Sequence, residues 1–95
     1  PIGVFHMADD KGPDEKVICV PVSDPIWNSL ENLSDINPHL LKEIEHFFQV
    51  YKDLENKQVD VEGWGDVNEA YAIIKECTER FNQIENKPEG LFSIK

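Results

Sequence analysis

An α+β fold is what this sequence predicts, on three observations. Two strand-like stretches, residues 1–8 and 15–21, flank a turn rich in Asp, Gly and Pro. Two longer segments, opening at Asn37-Pro38 and at Asp66, repeat apolar residues at helical spacing. Between them, residues 58–64 alternate apolar and polar side chains as a short strand does.

The two N-terminal strands form a β-hairpin whose loop, Asp9 to Asp14, is expected to be longer than the two-residue minimum. Val17-Ile18-Cys19-Val20 is continuously apolar, which predicts a strand covered on both faces. A hairpin alone is marginal in water, so it calls for further sheet partners. The opening Pro1-Ile2-Gly3-Val4-Phe5 has no Met and no polar lead-in, and we expect a chain that lacks its N-terminal part. Residues 22–37 read as irregular, with one helical turn near Ile26–Leu30. Asn37 then caps a helix with Pro38 at its first position, where a missing N–H costs nothing. Leu40, Leu41, Ile44, Phe47, Phe48, Tyr51 and Leu54 form its apolar face, opposite Lys42, Glu43, Glu45, Gln49 and Lys52. Asp66, with Glu69 three residues on, caps the last helix. Its stripe is Ala70, Ile73, Ile74, Cys77, Phe81 and Ile84, and Asn86-Lys87-Pro88-Glu89-Gly90 is expected to break it ahead of a disordered tail.

A chain of 95 residues fits one domain or part of one, with a thin core. Its 40% hydrophobic content suits a globular chain. The formal net charge of −10 argues against nucleic acid and against anionic membrane surfaces, and is compatible with divalent cations. No apolar run approaches a membrane helix and no signal peptide is visible, so a cytoplasmic location is the default expectation. Cys19 and Cys77 lack metal-ligand or redox spacing and are expected to pack, unpaired, as small hydrophobes. His6, His39 and His46 are not spaced as zinc ligands, and His46 reads as a packed or interface histidine. Trp27 and Trp64 read as packing residues. The phosphate-cradling GxxxxGK[ST] loop, the GxGxxG fingerprint and the GxSxG elbow are all absent.

Two segments carry candidate chemistry. Asp9 and Asp14 stand on either side of one turn, where two carboxylates can converge on a Mg²⁺ ion that takes its remaining ligands from water and phosphate. Asp10 and Glu15 are additional candidates. Lys11 occupies the place of a second oxygen ligand, so the turn is not an EF-hand loop. Lys16 can neutralise a phosphate oxygen as a point charge. Late in the middle helix, Tyr51 lies on the apolar stripe, its ring expected in the core with the hydroxyl reaching outward, and Lys52 offers a second ammonium. Each feature has an ordinary counterpart: a solvated turn, an exposed strand-end lysine, a core tyrosine, a lysine favoured near a helix C-terminus. Taken together they point to a metal–phosphate site.

The same residues carry a family resemblance. Pro1-Ile2-Gly3-Val4 through Met7, Asp9-x-x-Gly12-x-Asp14-x-Lys16, Val20-Pro21, His46-Phe47-Phe48-x-x-Tyr51-Lys52-Asp53-Leu54-Glu55 and Val61-Glu62-Gly63-Trp64 resemble, in order, the C-terminal half of soluble family I inorganic pyrophosphatases of bacterial type. The resemblance implies the C-terminal part of an OB-like five-stranded β-barrel with flanking helices, and Mg²⁺-dependent hydrolysis of pyrophosphate. It implies metal binding by Asp9 and Asp14, phosphate binding by Lys16, Tyr51 and Lys52, and a homohexamer with His46 at a subunit contact. The family's Asp-x-Asp-Pro-x-Asp run is absent, as are the upstream Glu, Lys, Arg and Tyr of its site; Ser23-Asp24-Pro25 does not replace it. These 95 residues are therefore expected to be inactive alone and prone to association or partial disorder. The rival reading is a non-catalytic acidic module, binding divalent ions or protein, that keeps part of the fold; a phosphatase for other esters is a further enzyme reading.

Overall fold

Every strand of the sheet is hydrogen-bonded to one segment, β1 (Gly3–Asp9), in a computed structural model that describes residues 1–84. The other strands are β2 (Gly12–Pro13), β3 (Lys16–Ile18) and β4 (Asp60–Gly65), all antiparallel to β1. Val4 pairs with both Val17 and Gly65, and Ala8 with both Pro13 and Asp60. A strand has two edges, so β4 runs along one side of β1 while β2 and β3 share the other. Helix α1 (Pro38–Val50) and helix α2 (Val67–Asn82) complete the fold, with short 3₁₀ turns at Leu33–Asp35 and Asp53–Glu55. The α+β expectation holds as an antiparallel sheet with two helices.

Alternation along β1 separates two faces. Phe5, Met7 and Asp9 point one way, and the residues registered opposite them share that face: Lys16 and Trp64 beside Phe5, Val61 beside Met7. The Asp14 N–H donates to the Met7 carbonyl at 2.8 Å, which places Asp14 on this face too. Helix α1 covers it, with Phe48 stacked on Phe5 at 5.6 Å between ring centroids. Val4, His6 and Ala8 face the other way, toward α2, where His6 Nε2 lies 3.4 Å from Glu69 Oε1. Val4, Phe5, Met7 and Ala70 are essentially inaccessible to solvent. Fully burying a side chain of the Val or Phe kind contributes about 1.5–3 kcal/mol. A second cluster, Ile2, Leu33 and Ile36, sits at the other end of the sheet, with Leu40 and Leu41 of α1 packed on it.

Several expectations change in detail. The hairpin turn is the two-residue Asp10-Lys11, because Asp9 pairs directly with Gly12, whose φ of +113° suits glycine alone. The second strand is split and shorter than residues 15–21, since Pro13 has no N–H to donate and the chain leaves the ladder at Asp14–Glu15. It is also not covered on both faces: Cys19 lies beyond its end and is exposed. Cys77 is exposed as well, on the α2 face that bears the partly exposed Ile74. Helix α1 ends at Val50, four residues before Leu54, so helical spacing no longer applies there and Leu54 is 98% exposed. Phe47 and Tyr51 stack on each other at the surface, since the stripe is wider than the sheet beneath it. Trp64 packs on Phe5 at 4.7 Å between ring centroids, whereas Trp27 is largely exposed. Helix α2 ends at Asn82, and the expected break at Asn86–Gly90 and the tail lie outside the described residues.

A β-bulge sets the phase of β4. His6 pairs with Gly63 and Met7 with Val61, leaving Glu62 as the extra residue. Strict alternation would put Val61 and Trp64 on opposite faces; the bulge puts both on the α1 face. Gly63 sits there at φ +117°, a conformation that costs other residues about 1–3 kcal/mol. Gly63→Ala is therefore expected to lower stability by about that amount. Glu62→Ala, at the exposed extra residue, should change it by less than about 0.5 kcal/mol. Urea midpoints of the protein check both.

Candidate functional site

The far end of the α1-covered face gathers five of the residues singled out in the sequence: Asp9, Asp14, Lys16, Tyr51 and Lys52. Asp9 ends β1, and its side chain folds over the turn: Oδ1 accepts from the Lys11 N–H at 2.8 Å. This Asx-type contact fixes the carboxylate by local chemistry. Its other oxygen accepts from Lys52 Nζ at 2.8 Å, between side chains only 9% and 17% exposed. Lys52 can reach it because α1 stops at Val50. Tyr51 is the C-cap residue, Lys52 leaves helical geometry at φ −98°, and the chain turns back through Asn56 in the left-handed region.

On the neighbouring strand, Lys16 Nζ pairs with Asp14 Oδ2 at 2.9 Å. The Lys16 ammonium also lies 5.6 Å from the centroid of the Phe48 ring. Phe48 meets Tyr51 edge-on, 5.6 Å between centroids at 90°, and Lys52 Nζ lies 5.6 Å from the Tyr51 ring. Asp14, Lys16, Phe48, Tyr51, Lys52 and Asp9 thus form one chain of contacts. The additional candidates do not join it: Asp10 is exposed at the turn, and Glu15 alternates to the opposite face, where it lines a groove with Val17, Ile73 and Cys77. Phe48 is the member that sequence reasoning passed over. Its signal was present, three residues before Tyr51 and four before Lys52, the spacing that puts helical side chains side by side.

The electrostatics follow from these contacts. The Lys52 hydrogen bond, then the Lys11 N–H, hold the Asp9 carboxyl below its ordinary range against the opposing effect of burial. The Asp9 hydrogen bond raises Lys52, with smaller contributions from the Tyr51 phenol. As donors, Asp9 and Asp14 are hard oxygen ligands of the kind Mg²⁺ takes, and each carboxylate keeps lone pairs beyond its present partners. They fit such an ion in kind but form only part of a cage. Among the described residues no three His, Cys, Asp or Glu side chains converge.

A depressed carboxyl stabilises the fold above its unfolded value and loses that effect as pH falls through the lower native value. A raised lysine stabilises below its unfolded value and loses that effect as pH climbs through the higher native one. The Asp9–Lys52 pair is thus expected to contribute from about pH 4 to about pH 10. In the metal-free protein, a carboxyl ¹³C titration should find Asp9 below the ordinary aspartate range, and Lys52→Met should move it back up.

Comparison with known proteins places these observations in a family. The inorganic pyrophosphatase family profile matches residues 1–82. The chain is 48% identical over 83 residues to an inorganic pyrophosphatase of Methanosarcina mazei, covering 87% of this chain and 49% of that protein. Among solved structures, the Helicobacter pylori inorganic pyrophosphatase superposes with a TM-score of 0.81 at 36% identity, over 85% of this chain and 49% of that one. The Neisseria gonorrhoeae enzyme gives 0.79 at 43% identity, over 86% and 49%. The chain spans about half the length of the relatives it matches. With a family profile along nearly all of its described residues, this chain belongs to the inorganic pyrophosphatase family.

Proposed function

We propose that this chain supplies one half of a pyrophosphatase site, and that the full-length protein carrying it hydrolyses pyrophosphate to two phosphates with Mg²⁺. The observation that carries the reading is the contact chain linking Asp9 and Asp14 to Lys16, Tyr51 and Lys52 on one face of the sheet. Two carboxylates pair one to one with two ammonium groups, so each of these four charges has an opposite partner. Pyrophosphate offers the lysines an equivalent partner, and a divalent cation offers the carboxylates one. The exchange keeps all four charges compensated. Asp9 and Asp14 would hold Mg²⁺, which when bound lowers the pKa of an attacking water and draws charge from phosphate oxygens. Lys16 and Lys52 then bind the oxygens that gain negative charge as the bridging P–O bond breaks, and the Tyr51 hydroxyl donates to the same phosphate.

The rest of the family pattern belongs to this proposal. The described residues form part of an OB-like five-stranded barrel, and the group that polarises the water lies outside this chain. His46, exposed on α1, faces a subunit contact of a homo-oligomer, a hexamer in the bacterial-type enzyme. No helix of the described residues is long and apolar enough to cross a membrane; we assign the protein to the cytoplasm. The two-carboxylate donor set supports inactivity of these 95 residues in isolation and keeps the acidic-module reading for the isolated chain.

The full-length protein is expected to release phosphate from pyrophosphate only with Mg²⁺ and to prefer pyrophosphate in a panel of phosphate esters; the 95-residue chain is expected to release none. Release from the isolated chain would overturn the half-site reading, and none from the folded full-length protein would overturn the enzyme reading. Lys52→Ala in the full-length protein should lower turnover by about tenfold or more, the scale of one charge-assisted contact. Unchanged kinetics would remove Lys52 from the site.

A further inference from the structure

We propose that Phe48 is a positioning residue that sets Lys16 and Tyr51, which come from different elements, into a single phosphate-binding geometry. The inference rests on the site reading above. Phe48 is anchored from below by its stack on Phe5, which is fully buried in the centre of the sheet. One face of the ring is thus fixed to the core, and the ring's remaining surface meets Phe47, edge-on at 5.1 Å between centroids, and the two groups in question. The Lys16 ammonium lies 5.6 Å from its centroid, inside the roughly 6 Å range of a cation–π contact. Tyr51 meets it edge-on at 90°, the arrangement that aromatic quadrupoles favour.

Lys16 has two partners, Asp14 and this ring, and they differ in kind. Asp14 neutralises the ammonium and is lost as a partner when its carboxylate turns to a cation. The ring attracts the ammonium without cancelling its charge and does not compete for phosphate oxygens. It therefore holds Lys16 in place during the exchange, when the long side chain would otherwise regain its rotamer freedom. A phenylalanine whose only role was packing would need neither the ammonium over its ring nor the perpendicular tyrosine.

The test is a double-mutant cycle in the full-length protein, pairing Phe48→Leu with Lys16→Gln. Phe48→Leu is expected to weaken both pyrophosphate kcat/KM and calorimetric binding of inorganic phosphate between roughly three- and thirtyfold, the range of a cation–π contact. Phe48→Tyr, which keeps the ring face, should restore most of the loss. In a Lys16→Gln background, Phe48→Leu should cost less than about twofold, because the group it positions is gone. An equal cost in both backgrounds, or no cost in the parent, would overturn the proposal while leaving Lys16 in the site. If Lys16→Gln itself changes nothing, the site reading falls and the proposal with it. Phe48→Met, whose unbranched side chain adapts to irregular gaps, provides the same comparison should the leucine variant unfold.

Discussion

Burial of Phe5 is the constraint on which the rest depends. It sits mid-strand with no solvent contact, Trp64 tilted against it from β4 and Phe48 stacked on it from α1. These contacts fix the register of β1 and the height at which α1 crosses the sheet. With side chains alternating along a strand, fixing Phe5 inward fixes Met7 and Asp9 inward too. A one-residue slip would send Asp9 to the α2 face, away from Lys52. The position of the candidate site is thus a consequence of packing several residues away from it.

Charge pairing explains how an acidic chain tolerates this site. Asp9 is sheltered by the fold, where an unpaired carboxylate would be costly, while the Asp14 side chain is a third exposed. Each is matched by a lysine within hydrogen-bond distance. No buried side-chain nitrogen or oxygen of the described residues lacks a partner. Other negative charges of the sequence lie at the surface, on exposed residues such as Asp10 and Glu62. Paired in this way, the candidate site leaves none of its four charges uncompensated.

Much of this was legible in the sequence, for reasons that differ by residue. The caps at Asn37 and Asp66 obey local chemistry and lie where composition puts them, each accepting a backbone N–H in the first turn. The site side chains could be named because their types suit one chemistry. Their pairing could not: Asp9 and Lys52 are 43 residues apart, and nothing local says which lysine meets which carboxylate. The break at Asp14–Glu15 was hidden because Pro13 reads equally well as turn or edge strand. The exposure of Cys19 and Cys77 was missed because an apolar stripe states which side chains would prefer cover, not whether a neighbouring layer provides it. Phe48 was read as core because its spacing fits the stripe, and the ammonium over its ring comes from another element.

The separation between Asp9 and Lys52 also orders events in time. The two are joined across a loop of 43 residues, whose closure carries an entropic cost that is repaid only once the sheet and α1 have docked. Local elements such as the hairpin and the helix caps can form early. The ion pair has to wait for the docking of α1 on β1, which brings Phe48 onto Phe5. The geometry of the candidate site is therefore a late product of folding, and nascent chains carry its residues before those residues are brought together.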